Sequence, residues 1–283
     1  MSKLQNNQTL VKIFRNFKYV LLKRHVYGLT SSIRVLPDFF IIGVVRSGTT
    51  SMYHYLNEHP SIVKSAYDEL GFFDDNFRLG WSWYKTLFPT VITREIVKRK
   101  TGKFLTFDDT PFYIYNEDVA KKIKNYFPNT KLIVILRNPI DRAYSNYHLG
   151  VRMGDEKRTF EQAVDDEIEK IEKYDEIIMD KYISQTYLGR GIYVKQLEIW
   201  KKYFPTSETK ILESNKFSHN IKETMNEIFR FLDLPDHTIR NLEKKNVAEY
   251  PPMKIETRQK LCNFFSEHNE KLYDMLKIRY DWR

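Results

Sequence analysis

The turn between residues 43 and 50 constrains the fold of this 283-residue chain more than any other stretch. Asp38-Phe39-Phe40-Ile41-Ile42-Gly43-Val44 is a short apolar run introduced by Pro37, the pattern of a strand buried on both faces. Residues 45–49 turn it. Residues 50–57 then read as a helix that stops near His59-Pro60. A strand, a glycine-bounded turn and a helix, in that order, make up the first part of a parallel crossover unit.

A second unit of the same kind follows. Lys131-Leu132-Ile133-Val134-Ile135-Leu136 is an apolar strand, Arg137-Asn138-Pro139 turns it, and a helix is expected from about Asp141 to Leu149. Asp141 would cap that helix or sit in its first turn, where a carboxylate faces the positive end of the helix dipole. Residues 103–107 suit a third strand and residues 210–213 a short fourth one. Helical patterns are expected over 160–173, 193–203, 221–232 and 258–276. Strands alternating with helices predict an α/β fold: a three-layer parallel sheet flanked by helices, of the P-loop-containing nucleotide-binding type. We expect a basic N-terminal extension over residues 1–36 and one domain over 37–283.

Gly43-Val44-Val45-Arg46-Ser47-Gly48-Thr49-Thr50 has the two-glycine spacing of a Walker A loop, with Thr49 in place of the lysine that should follow the second glycine. Such a turn converges backbone N–H groups on an anion, and the helix behind it adds partial positive charge. Ser47, Thr49 and Thr50 add hydroxyls, and Arg46 adds a permanent cation. Without the lysine, triphosphate chemistry loses its main electrophile. The loop suits a single phosphate with a cation aimed at the bond that breaks.

Charge agrees with an anionic ligand. Lys and Arg number 46 against 37 Asp and Glu, a net +9, which suits nucleotides, acidic glycans, nucleic acid or an anionic membrane. The basic residues are spread along the chain, not interleaved with aromatics in one stretch, so nucleic acid is not the expected partner. Cys262 is the only cysteine, which rules out an internal disulfide or a cysteine metal cluster. No run approaches the ~20 apolar residues of a membrane span. Within the extension, Val11, Phe14, Phe17, Leu21 and Leu22 recur at helical spacing between Lys and Arg. That pattern suits a helix packed on its own domain; peripheral contact with a membrane surface through residues 1–36 is its other use.

At this point the chain resembles the nucleotide-dependent sulfotransferases, above all the carbohydrate (heparan-sulfate-type) branch and its bacterial relatives. Five segments carry the resemblance in order. Phe39-Ile41-Ile42-Gly43 leading into Arg46-Ser47-Gly48-Thr49-Thr50 is similar to the family's 5′-phosphosulfate loop, where Arg46 stands at a position that is often Lys. Asp68-Glu69-Leu70-Gly71-Phe72-Phe73 is similar to a Glu-x-His-Phe-Phe segment whose Glu is the catalytic base, with Gly71 at the His position. Leu136-Arg137-Asn138-Pro139 with Ser145 is similar to the 3′-phosphate site. Gly191-Ile192-Tyr193 with Gln196 and Trp200, and the C-terminal stretch from His268 to Trp282, resemble fold markers more than chemistry. In two places the chain departs from the pattern. Asp109 precedes Thr110-Pro111 where a Lys is common, and Lys244 and Lys245 are the nearest substitutes for the family's late basic loop over the donor.

The resemblance implies an enzyme that takes a sulfuryl group from 3′-phosphoadenosine 5′-phosphosulfate (PAPS) and leaves 3′,5′-adenosine bisphosphate. Glu69 would be the general base and Arg46 would stabilise the leaving oxygen. Arg46, Ser47, Gly48, Thr49, Thr50, Arg137, Ser145, Lys244 and Lys245 would bind the donor. The scheme requires no metal. The expected acceptor is a hydroxyl on a glycan, a glycolipid or another molecule. The other readings are a P-loop kinase and a non-catalytic basic glycan-binding protein. The expected location is a bacterial-type cytoplasm, or the Golgi lumen if an anchor was removed.

Overall fold

The computed structural model describes residues 27–174, 186–243 and 249–282. The helical pattern over 11–22 and the pair Lys244–Lys245 lie outside the described residues.

Four parallel strands form one sheet: β1 (Phe39–Gly43), β2 (Phe107–Asp109), β3 (Lys131–Leu136) and β4 (Thr209–Glu213), in the spatial order β2-β1-β3-β4. Phe39 pairs with Phe107 on one side and Lys131 on the other. The chain leaves β1 and returns on both sides of it, so the C-terminal ends of β1 and β3 flank a switch point, the place where an open α/β sheet binds ligands.

Alternation along the strands splits the core in two. Phe40, Ile42, Leu132, Val134 and Leu136 join a cluster that includes Trp83, Tyr193, Trp200 and Phe265. Phe39, Ile41, Ile133 and Ile135 join a cluster with Met52, Leu56, Met225 and Phe229 on the opposite face. Helices therefore cover both faces, giving three layers. Phe39 and Phe107 stack at 5.0 Å between ring centroids. Fully burying one ring of this kind contributes about 1.5–3 kcal/mol.

The first helix, α1 (Thr49–Leu56), follows β1 directly and buries Met52, Tyr53, Tyr55 and Leu56. Helices α2 (Gly80–Lys85), α3 (Val91–Thr101) and α4 (Glu117–Tyr126) lie between β1 and β3 in the chain. Helix α5 (Pro139–Met153) follows β3 and starts on Asn138, whose Oδ1 accepts from the Ile140 N–H at 2.9 Å. Proline at the first helical position gives up only an N–H that would have had no intrahelical partner. Five more helices follow among the described residues: α6 (Phe160–Tyr174), α7 (Tyr193–Lys201), α8 (Ser214–His219), α9 (Ile221–Phe231) and α10 (Ile255–Leu276).

Two sequence expectations shift. The third strand is Phe107–Asp109, not 103–107. Asp108 can end a buried strand here because the hydroxyls of Thr110, Tyr113 and Tyr84 donate to its carboxylate. Helix α5 begins two residues before Asp141 and runs four residues past Leu149. Asp141 sits in its first turn and pairs with Arg258 Nη2 at 2.6 Å.

Candidate active site

Gly43 ends β1 against the 3₁₀ turn Tyr113–Tyr115 that precedes α4. A Cβ there would meet the Ile114 side chain at 2.9 Å, so only glycine lets the chain pass. The turn that follows is held from within: Ser47 Oγ donates to the Val44 carbonyl at 2.6 Å. Gly48 caps α1 at φ 105°, a left-handed conformation that glycine adopts without strain. The first amides of α1 then point out of the turn with no helical partner, the arrangement that binds anions.

Arg46 adopts φ 68°, which is unusual for a residue with a side chain. Strained backbone of this kind persists where the surroundings over-determine it. Here three bonds do so. Arg46 Nε donates to Ser145 Oγ on α5 at 3.1 Å. Arg137 Nη1, from the end of β3, donates to the Arg46 carbonyl at 2.9 Å. Ser214 Oγ, at the start of α8, donates to the Ser47 carbonyl at 2.8 Å. Burial pulls the Arg46 guanidinium below its ordinary value, and the neighbouring Arg137 charge pulls it the same way. A guanidinium remains charged under such shifts, so the turn concentrates positive charge that an anion would relieve.

The opposite wall carries Glu69. It too is left-handed, at φ 54°, and its N–H donates to the Asp109 carbonyl at 2.6 Å. The segment after it hangs on the end of β2. Gly71 N–H donates to Thr110 Oγ1 at 3.1 Å, and the Phe72 and Phe73 N–H groups donate to Tyr113 Oη at 2.8 and 3.2 Å. Both hydroxyls pass their own protons to one carboxylate. Asp108 accepts from Thr110 at 2.7 Å, Tyr113 at 3.0 Å and Tyr84 at 2.7 Å. Burial lifts Asp108 to about 6 despite these bonds. Asp109, 1% exposed, is pushed well above the usual carboxylate range, first by burial and then by the charge of Glu69. Its Oδ1 is buried with no hydrogen-bond partner among the described residues.

Both walls face one cleft of about 620 Å³. It is lined by Arg46, Ser47, Gly48, Thr49 and Thr50 from the turn, Arg137 and Ser145 from the second unit, and Glu69 opposite. The sequence-predicted residues therefore meet, except Lys244 and Lys245, which lie outside the described residues. Arg137 does not pair with Asp141, whose carboxylate is taken by Arg258.

Several cleft residues were not among the expected ones. Asp281 and Trp282, read as fold markers, line it with Tyr250 and Phe217. Tyr193, also read as a marker, donates to the Arg137 carbonyl at 2.8 Å and so fixes the strand end. The Asp108–Tyr84–Tyr113 network had no sequence signal, because its members are 5 and 24 residues from Asp108 with no shared motif. His59 is structural: Nδ1 accepts from the Ser61 N–H and Nε2 faces the Pro235 carbonyl, both at 3.1 Å.

A family model described as sulfotransferase domain matches residues 36–272. The chain is 24% identical to the membrane-associated sulfotransferase kil1 of Dictyostelium discoideum, over 88% of this chain and 67% of that protein. It is 27% identical to the bifunctional heparan sulfate N-deacetylase/N-sulfotransferase 4 of Mus musculus, over 90% of this chain but only 32% of that protein, so it spans about a third of that relative's length. A crystal structure of a sulfotransferase from Alicyclobacillus acidocaldarius superposes with a TM-score of 0.68 at 22% identity, covering 88% of this chain and 99% of that one. By the match over most of its length, the chain belongs to the sulfotransferase domain family.

Proposed function

We propose that this sulfotransferase moves the sulfuryl group of PAPS onto a hydroxyl of a carbohydrate acceptor, with Glu69 as general base. The supporting observation is the convergence of two cationic strand ends, an anion-binding turn and one carboxylate on a single cleft. The names of relatives that act on heparan sulfate support a saccharide acceptor.

Each group has a separate task. The N–H groups of Ser47 to Thr50 and the Thr49 and Thr50 hydroxyls hold the 5′-phosphate, while the Ser47 hydroxyl, spent on the Val44 carbonyl, shapes the turn. Arg137 and Ser145 hold the 3′-phosphate, a charged fork and a hydroxyl meeting one anion. Holding both phosphates fixes the sulfur in register with the acceptor, and positioning of this kind supplies much of the acceleration in group transfer. Glu69 takes the proton of the acceptor hydroxyl as its oxygen bonds to sulfur. The bond between sulfur and the bridging oxygen breaks, and its electron pair leaves on 3′,5′-adenosine bisphosphate. Arg46 neutralises the charge that grows on that oxygen.

The test separates this reading from a kinase or a glycan-binding protein. Thermal denaturation is followed with 3′,5′-adenosine bisphosphate, ATP and a sulfated polysaccharide in turn. Selective stabilisation by the bisphosphate is expected. Stabilisation by ATP alone would favour a kinase, and by the polysaccharide alone a binding protein. A screen of saccharides with labelled donor then identifies the acceptor.

A further inference from the structure

Away from the cleft, the surface carries an apolar and basic patch that the reaction does not use. The short 3₁₀ helix Tyr27–Ile33 exposes Leu29 (86%) and Ile33 (45%). The next residue, Arg34, bridges antiparallel to Thr90, whose hydroxyl caps α3 by accepting from the Thr93 N–H at 3.2 Å. The Val35 N–H donates to the Pro89 carbonyl at 3.0 Å, and Arg34 Nη1 to the Phe88 carbonyl at 2.6 Å. These bonds set the last turn of one helix beside the first turn of the other.

On α3, Ile92 (63% exposed) and Ile96 (49%) follow at a spacing of four, and Lys100 continues the same stripe. Lys98, Arg99 and Lys100 are all exposed in the last turn, and none of the eleven residues of α3 is buried. Four of the ten large hydrophobic side chains exposed among the described residues thus lie on two adjoining short helices. Single exposed apolar residues need no explanation; grouped ones beside a basic cluster mark a contact surface.

The chemistry selects the partner. A soluble polyanion would use Lys98, Arg99 and Lys100 but leave four aliphatic side chains in water. A second copy would cover the aliphatics, but a two-fold contact would bring the two basic clusters near each other. An anionic lipid surface uses both halves, with the aliphatics at the boundary of headgroup and acyl chain and the cations on phosphate. We propose that the patch formed by Leu29, Ile33, Ile92, Ile96 and the basic end of α3 docks this protein on anionic membranes. Docking there would hold the enzyme in the plane where membrane-borne acceptors are displayed. The patch stands independently of how the cleft works.

The test uses the full chain and sedimentation with vesicles of phosphatidylcholine, with and without phosphatidylserine. Binding to the anionic vesicles only, weakened by salt, is expected. Ile92→Ser/Ile96→Ser and, separately, Arg99→Ser/Lys100→Ser should each lower it on the order of tenfold. Circular dichroism and turnover of a soluble acceptor should stay at the wild-type level, because none of these residues lines the cleft. Three results would overturn the proposal: no vesicle binding by the wild type, wild-type vesicle binding by both variants, or a wild-type dimer that Ile92→Ser/Ile96→Ser converts to a monomer.

Discussion

Arg46 Nε donates to Ser145 Oγ at 3.1 Å, and this bond joins the phosphate turn of the first strand–helix unit to the helix of the second. The cation proposed for the leaving oxygen and the hydroxyl proposed for the 3′-phosphate are thus direct partners on one side of the cleft. Removing either should have different effects. Arg46→Ala should lower kcat on the order of 10²–10³, the usual loss when one preorganised charge is removed from a developing oxyanion. Ser145→Ala should leave kcat within a few fold and weaken donor binding by about tenfold, the worth of one hydrogen bond to a charged group. Initial rates at varied donor concentration separate the two. An equal fall of kcat in both variants would contradict the division of labour.

Arg137 is assigned to a phosphate that many adenine nucleotides lack. Arg137→Ala should lose on the order of 10–100-fold in affinity for 3′,5′-adenosine bisphosphate, and little for adenosine 5′-phosphate. Isothermal titration with the two nucleotides measures this directly. Equal losses for both would mean that Arg137 acts on the turn through the Arg46 carbonyl, its partner at 2.9 Å, and not on the ligand.

Asp108 couples the base segment to pH. Burial raises its folded carboxyl to about 6, while an unfolded aspartate titrates near ~3.9. The folded state therefore holds this proton more tightly. Its contribution to stability is fully present below about pH 4 and is lost as pH rises to about 6. A shift of roughly two pH units corresponds to on the order of 3 kcal/mol. Asp108→Asn does not titrate, so the variant should gain stability relative to the wild type across that interval. Urea denaturation stepped from about pH 4 to about pH 7 checks it; a difference that does not vary with pH would show that the carboxyl is already ionised at the acid end.

Gly43 is tied to Ile114 by space alone. Gly43→Ala places a methyl at 2.9 Å from the Ile114 side chain and should cost about 1–3 kcal/mol by overpacking. Ile114→Ala removes the Cγ2 and Cδ1 atoms that the new methyl would meet, so the double variant should lose less than the sum of the two single losses. A double-mutant cycle gives the coupling, which should be clearly nonzero because the two residues share one contact. Additive effects would mean that the turn relaxes elsewhere.

The sheet was legible where burial leaves a run of apolar residues. β1 and β3 read directly because both faces are covered, so neither strand needs polar alternation. β2 was misplaced because it ends on Asp108 and Asp109, residues that local pattern assigns to a turn. The partners of Asp108, Tyr84 and Tyr113, come from other elements. The phosphate turn was legible from glycine spacing and helix polarity. Glu69 was not legible from chemistry, since one glutamate among many carries no signal, and only its motif singled it out. The supports that lock the turn, Ser214 on the Ser47 carbonyl and Tyr193 on the Arg137 carbonyl, span 167 and 56 residues and leave no local trace.

Glu69 is assigned the proton transfer from the acceptor, and turnover by Glu69→Gln measures that role. With labelled PAPS and a saccharide acceptor, the variant should lose on the order of 10²–10⁴ in kcat, the usual contribution of a general base. Its affinity for 3′,5′-adenosine bisphosphate should stay within about threefold of the wild type, because the donor residues lie on the opposite wall. Near-normal turnover by Glu69→Gln would contradict its role as base and move the base elsewhere in the cleft.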